Sequence, residues 1–159
     1  MTGLRTNVYA RRHGRRLARA IDPGESLLAA SRVTFFGSAD VARSRRMPGE
    51  PAFLARKAAY RRWLAGLGST AFPPAGPDFV LGVTEERWIV WRTTKWWNLP
   101  AEVAGDIAHD AIAGVDVQRV LISGVLTIRF RDGGQVLVEA PVVRRLRPLA
   151  AAHGHATTT

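Results

Sequence analysis

Apolar residues recur at two different periods along this chain, and the period changes at Phe79. From there on it is two, the repeat of a strand whose faces are buried. Phe79-Val80-Leu81-Gly82-Val83-Thr84 and Arg87-Trp88-Ile89-Val90-Trp91-Arg92 flank the polar pair Glu85-Glu86 and read as a hairpin. Residues 114–120, 125–130 and 135–139 fit further strands. The last two are joined by Arg131-Asp132-Gly133-Gly134, where glycine accepts the positive backbone angles of a tight turn. Upstream, residues 26–36 predict one more strand, ending at Gly37.

Helical spacing marks three other segments. Residues 8–21 set Val8, Leu17, Ile21 and several alanines among Arg11, Arg12, Arg15, Arg16 and Arg19; Gly14 interrupts the pattern and Asp22-Pro23-Gly24 stops it. This apolar face is thin enough to be compatible with disorder as well as with a helix. Over residues 50–67, Phe53, Leu54, Ala58, Leu64 and Leu67 recur at helical intervals, with Arg56, Lys57, Arg61 and Arg62 between them. After Pro141, Val142, Val143, Leu146, Leu149 and Ala150 line one face of a third helix and Arg144, Arg145 and Arg147 the other. Residues 37–50 read as a mobile loop, 72–77 as a stiff proline-rich connector and 153–159 as a disordered tail.

Short antiparallel strands followed by one terminal helix predict a mainly β protein: a curved sheet or barrel capped by the C-terminal helix, with a helical insertion between the first two strands. A chain of 159 residues that is 47% apolar suffices for one domain. The expected organisation is a basic arm or helix over 1–24, a domain over 25–152 that includes the insertion at 37–78, and the tail.

Charge adds a second picture. The net charge of +10 lies entirely in the first 62 residues, which hold 14 Lys/Arg against 4 Asp/Glu; the remainder is neutral. Such asymmetry points to an anionic partner: lipid head groups, nucleic acid or an acidic protein. The absence of cysteine excludes disulfides, thiol nucleophiles and Cys-ligated zinc, and agrees with a reducing cytosol. No apolar core of signal-peptide length follows the basic run, and no stretch approaches the roughly 20 apolar residues of a membrane span. The expectation is a cytoplasmic protein that at most lies on the inner face of the membrane.

The apolar strand, the segment Val83-Thr84-Glu85-Glu86-Arg87-Trp88-Ile89-Val90, the hairpin around Asp132-Gly133 and the closing helix together resemble the bacterial PH-like and GRAM-like domains over about residues 25–152. The resemblance implies a non-enzymatic scaffold that docks to lipid head groups or to other proteins. In phosphoinositide-binding members, basic residues of the first strand and the following loop hold the ligand, and the positions that match by location are Arg32, Arg43, Arg45 and Arg46. Arginine suits phosphate because its planar fork pairs bidentately.

Several side chains are candidates for chemistry. The helix over 50–67 could lay Phe53, Leu54, Tyr60, Trp63 and Leu67 into an anionic interface, although packing of that face on the sheet is favoured. Trp88, Trp91, Trp96 and Trp97, interleaved with Arg87, Arg92 and Lys95, suit base stacking if exposed; core packing is favoured, with Trp91, Trp96 and Trp97 as possible partner contacts. His109 beside Asp110, with Ser123 as a conceivable nucleophile, is expected to be a surface pair. His153 and His155 lack further ligands, so no metal or other cofactor is expected, and no phosphate-binding or dinucleotide motif is present. The expected function is a binding module or adaptor that engages an anionic membrane surface or an acidic protein through residues 11–19 and 43–62. The alternative is nucleic-acid binding by the same charges and exposed tryptophans. An enzyme would require a concave pocket joining His109 to another titratable group.

Overall fold

The computed structural model describes residues 7–43 and 51–158. Two short helices, α1 (Val8–Arg12) and α2 (Gly14–Leu17), and a 3-10 turn at Ala18–Ala20 lead into β1 (Leu27–Phe35). Helices α3 (Ser38–Arg43) and α4 (Ala52–Ala65) come before β2 (Asp78–Thr84). Then follow β3 (Arg87–Thr93), β4 (Pro100–Ala108), β5 (Ile112–Val120), β6 (Ser123–Phe130), β7 (Gln135–Ala140) and α5 (Arg147–Thr158).

The strands form one open antiparallel sheet in the order β4-β3-β2-β1-β7-β6-β5. It consists of two meanders joined where Thr34 and Phe35 of β1 pair with Glu139 and Val138 of β7, a junction that Phe36 N extends by donating to Leu137 O at 3.1 Å. Nearer its start, β1 has a backbone edge that β7 does not reach. Asn7 covers it: its side-chain amide donates to Ala30 O at 2.7 Å and its carbonyl accepts from Ala30 N at 3.0 Å. The same carbonyl caps α1 by accepting from Ala10 N. One side chain therefore completes a strand edge and starts a helix, as buried backbone groups require.

The two-residue period divides β2 and β3 between two cores. Phe79, Leu81, Val83, Trp88 and Val90 face inward with Leu126, Ile128, Val136 and Val138, covered by Leu146, Leu149 and Ala152 at the C-terminal end of the chain. Val80, Ile89 and Trp91 face outward and are covered by Ala10 and Leu17 of the N-terminal helices. This double burial explains why these strands read as nearly unbroken apolar runs. Gly82 lies under the Trp91 indole, and a Cβ there would sit 2.5 Å from the ring. Its lack of a side chain is what lets the indole approach β2 this closely.

The structure decides one open alternative, corrects two expectations and adds a strand. The N-terminal segment is ordered helix and turn, because Leu17 and Ala10 are buried on the sheet. Residues 38–43 form helix rather than loop, and their neighbours 44–50 lie outside the described residues. Residues 100–108 form a strand that periodicity did not reveal: only Pro100 and Ile107 are buried, and backbone pairing to β3 holds the rest. The expected disordered tail is helical to Thr158. Ala152 and His153 are buried, and the Thr157 and Thr158 hydroxyls donate back to the carbonyls of His153 and Gly154, each at 2.9 Å.

Candidate functional site

The two ends of β3 carry different chemistry. At its C-terminal end the loop to β4 closes on itself: Thr94 N donates to Leu99 O at 2.9 Å, Asn98 N to Thr94 O at 3.1 Å, and Leu99 N to the Thr94 hydroxyl at 3.1 Å. Asn98 takes a positive φ of 49°, which asparagine tolerates better than most residues. Closed by these bonds, the loop holds Trp96 and Trp97 out at 80% and 79% exposure. The Lys95 ammonium stands 5.4 Å from the centre of the Trp96 ring, a cation–π distance.

Arg16 and Arg19 reach the same neighbourhood. They line a hollow of about 380 Å³ with Ala20, Thr94, Pro100, Ala101, Glu102 and Val103, so the start of the Trp loop and the basic arm share a wall that also carries one carboxylate. Arg11, Arg12, Arg15, Arg16 and Arg19 are all exposed, because Ala10 and Leu17 take the buried positions of these helices. Arg92 and Lys95 are exposed as well. Helix α4 leaves from this end of the sheet: the Thr93 hydroxyl donates to Asp78 O, and the Asp78 carboxylate accepts from both terminal nitrogens of Arg56 at 2.7 and 2.9 Å.

The predicted anion-binding residues therefore separate. Arg56 is committed to Asp78 and, through Nε, to the Ser38 hydroxyl at 3.0 Å; it ties α4 to the sheet and is not a free ligand. Lys57, Arg61 and Arg62 are exposed on α4, while Tyr60, Trp63 and Leu67 turn to the sheet and Phe53 and Leu54 remain in solvent. Arg32 is half-buried on the outer face of β1, close enough to Tyr9 for its charge to be felt there. Burial dominates and pushes the Tyr9 phenol up to about 12. Arg43 ends α3, and Arg45 and Arg46 lie outside the described residues. Trp91 is not a partner contact: it is fully buried between β2 and the N-terminal helices.

At the other end of β3 a pocket of about 550 Å³ opens among the β2–β3 turn, the β4–β5 turn, Arg131 and α5. His109 was expected on the surface beside Asp110. Instead it sits in a 3-10 turn, His109–Ala111, with Nε2 2.9 Å from Thr84 O and Nδ1 3.1 Å from Nδ1 of His153. His153 Nδ1 also accepts from Trp88 Nε1 at 3.1 Å. Burial, and then the neighbouring His109, hold the His153 pKa below the ordinary value. The Ser123 hydroxyl donates to Val120 O in its own hairpin, away from both histidines. His155 is exposed, and among the described residues no group of three or more His, Asp or Glu is placed to hold a metal.

Arg87, between these pocket residues and the N-terminal arm, is an anchor that sequence reasoning missed. Its guanidinium grips both oxygens of Glu25 at 3.0 Å and Asp106 at 2.9 Å, and the Thr84 hydroxyl donates to the same Glu25 carboxylate. These bonds hold the Glu25 carboxyl down at about 2, with the Arg87 hydrogen bonds as the main cause. No local signal marks such partners, which are separated by 62 residues.

No protein-family model and no curated protein matches this chain. Among the described residues no helix is long and apolar enough to cross a membrane.

Proposed function

We propose that the chain is a PH-like, non-enzymatic docking module that binds an anionic membrane surface on its cytoplasmic side, with Trp96 and Trp97 as interfacial anchors and the arginines of the N-terminal helices as the electrostatic contact. The observation that carries this reading is the pair of adjacent, outward-held indoles beside Lys95, Arg92, Arg16 and Arg19. Indoles prefer the membrane–water interface, where an apolar ring and a polar N–H are both satisfied. Cations near an anionic leaflet contribute about 1 kcal/mol each. The two meanders joined at the first strand, with one helix closing the chain, support the PH-like part of the reading.

Single-stranded nucleic acid is the second reading, favoured by the cations beside exposed indoles. Successive bases, however, need a row of stacking platforms along a basic groove. Trp96 and Trp97 offer a single turn, whereas Trp88, Trp91, Phe35, Phe72 and Phe79 are buried. The membrane therefore fits better.

The test is co-sedimentation with phosphatidylcholine vesicles, with and without phosphatidylglycerol, alongside a mixed-sequence oligonucleotide. Binding is expected only to the anionic vesicles. Changing Arg16 and Arg19 to Ser should weaken it about thirtyfold, since two cations are lost. Changing Trp96 and Trp97 to Ala removes roughly 50–100 Å² of buried apolar surface per indole and should weaken it about a hundredfold. Preference for the oligonucleotide would install the second reading, and binding to neither would leave an acidic protein as the partner.

A further inference from the structure

We infer that the pocket at the opposite end of β3 is a binding site for a small zwitterion, a molecule that carries a carboxylate beside a cationic nitrogen. This goes beyond the docking reading and does not depend on it. The seven residues of β3 separate the pocket from the Trp96–Trp97 loop by about 20 Å. A ligand here is accordingly a soluble molecule and not a lipid head group held at the same surface.

Proton bookkeeping around His153 leads to the site. An indole N–H only donates, so His153 Nδ1, 3.1 Å from Trp88 Nε1, carries no hydrogen. The neutral ring then has its proton on Nε2. His153 is only 9% exposed and lines the pocket, and among the described residues no protein group accepts from Nε2. Nε2 is thus a donor that the protein leaves to the pocket, the open side on which an acceptor can be supplied.

The neighbouring groups say which acceptor fits. His109 meets Thr84 O through Nε2 and Nδ1 of His153 through its own Nδ1, so both of its ring nitrogens are engaged within the protein. Arg131 is oriented by Nε, which donates to Asp110 O at 2.7 Å, and its terminal nitrogens have no partner among the described residues. Donors on this side thus suit an anionic oxygen. Glu85, Glu86 and Asp110 line the same pocket, and their carboxylates lack side-chain partners among the described residues. A simple anion meets three carboxylates, and a simple cation leaves the His153 donor unused; a molecule bearing both charges answers both sets. The volume of about 550 Å³ lies in the range of small-molecule sites.

The experiment is a titration of the full chain followed by long-range ¹H–¹⁵N correlation of the histidine rings, with three probes: a mixture of neutral L-amino acids, acetate, and ethylammonium. Saturable movement of the His153 Nε2 signal is expected at millimolar amino acid. Acetate or ethylammonium alone should bind at least about tenfold more weakly, because each makes one of the two charged contacts. Arg131→Gln, at an exposed position that should not disturb folding, should weaken the amino-acid response by about tenfold as well. No saturable change with amino acids overturns the inference. An equal response to acetate overturns it too, in favour of a plain anion site, and so does an Arg131→Gln protein that binds unchanged. Repeating the titration with Trp96 and Trp97 both changed to Ala separates the outcome from that of the membrane reading.

Discussion

Under the Trp91 indole, Gly82 leaves no room for even one methyl group. Gly82→Ala would force the ring or β2 to move, and overpacking of this kind costs about 1–3 kcal/mol, read as a lower midpoint in chemical denaturation. Arg87 offers a second test at the same scale, and its sign follows from linkage. Glu25 titrates near 2 in the fold against an ordinary 4.5, so the folded chain binds its proton less readily than the unfolded one. Its contribution is fully present above about 4.5 and is lost as the pH falls through about 2. In Arg87→Met that difference shrinks to what the Thr84 hydroxyl and Asp22 N–H still supply: stability should drop at neutral pH and should fall less steeply between pH 5 and pH 2, as denaturation curves at a series of pH values would register.

Elements are where local pattern and packing part company. The last turns of α5 contain Gly154 and two threonines, a composition that reads as tail, yet His153 is held on the inner core by Trp88 and His109. That contact requires a neutral His153. Because its pKa lies below the ordinary 6.5, its contribution is present above about 6.5 and is lost as the pH falls through the lowered value, when a proton on Nδ1 would oppose the indole N–H. Amides of α5 should therefore exchange faster with solvent at mildly acidic pH, after correction for the intrinsic rate, while those of β2 do not. If α5 protection proved independent of pH in that range, the histidine contact would not be what holds the helix. Strand β4 is the opposite case: its composition is weak for a strand, and it exists because β3 offers an unpaired edge.

For the whole molecule, the basic N-terminal segment has two roles that a deletion confounds. Its exposed arginines supply charge, while Leu17 and Ala10 cover Val80, Ile89 and Trp91. Removing residues 1–24 should cost about 3 kcal/mol of stability or more, through exposure of that second core. Changing Arg11, Arg12, Arg15, Arg16 and Arg19 to Ser should leave the melting temperature within a few degrees and abolish vesicle binding. Added salt should imitate the second variant, since the screening length falls from about 8 Å at physiological ionic strength to about 3 Å at 1 M. Equal destabilisation by both changes would mean that the arginines themselves hold the helices on the sheet.

Wherever a residue's fate depends on its sequence neighbours, the chain alone determined the outcome. The period of two placed β1, β2, β3, β6 and β7, and the glycines after Asp132 placed their hairpin, because alternation and turn geometry are local properties. The concentration of charge before residue 63 was equally legible. What only the tertiary structure decided depends on partners far apart in the chain: the second face of β2 and β3 covered by the N-terminal helices, the edge strand β4, the Arg56–Asp78 tie, and which tryptophans are buried. Trp91 and Trp96 stand five residues apart in similar company, yet one lies over Gly82 and the other projects from a self-bonded loop. The pocket is the extreme case, since His109 and His153 are separated by 44 residues and meet only because the sheet and the closing helix bring a turn and a helix face together. Pairings of this kind are set by packing between elements, and periodicity along one element carries no trace of them.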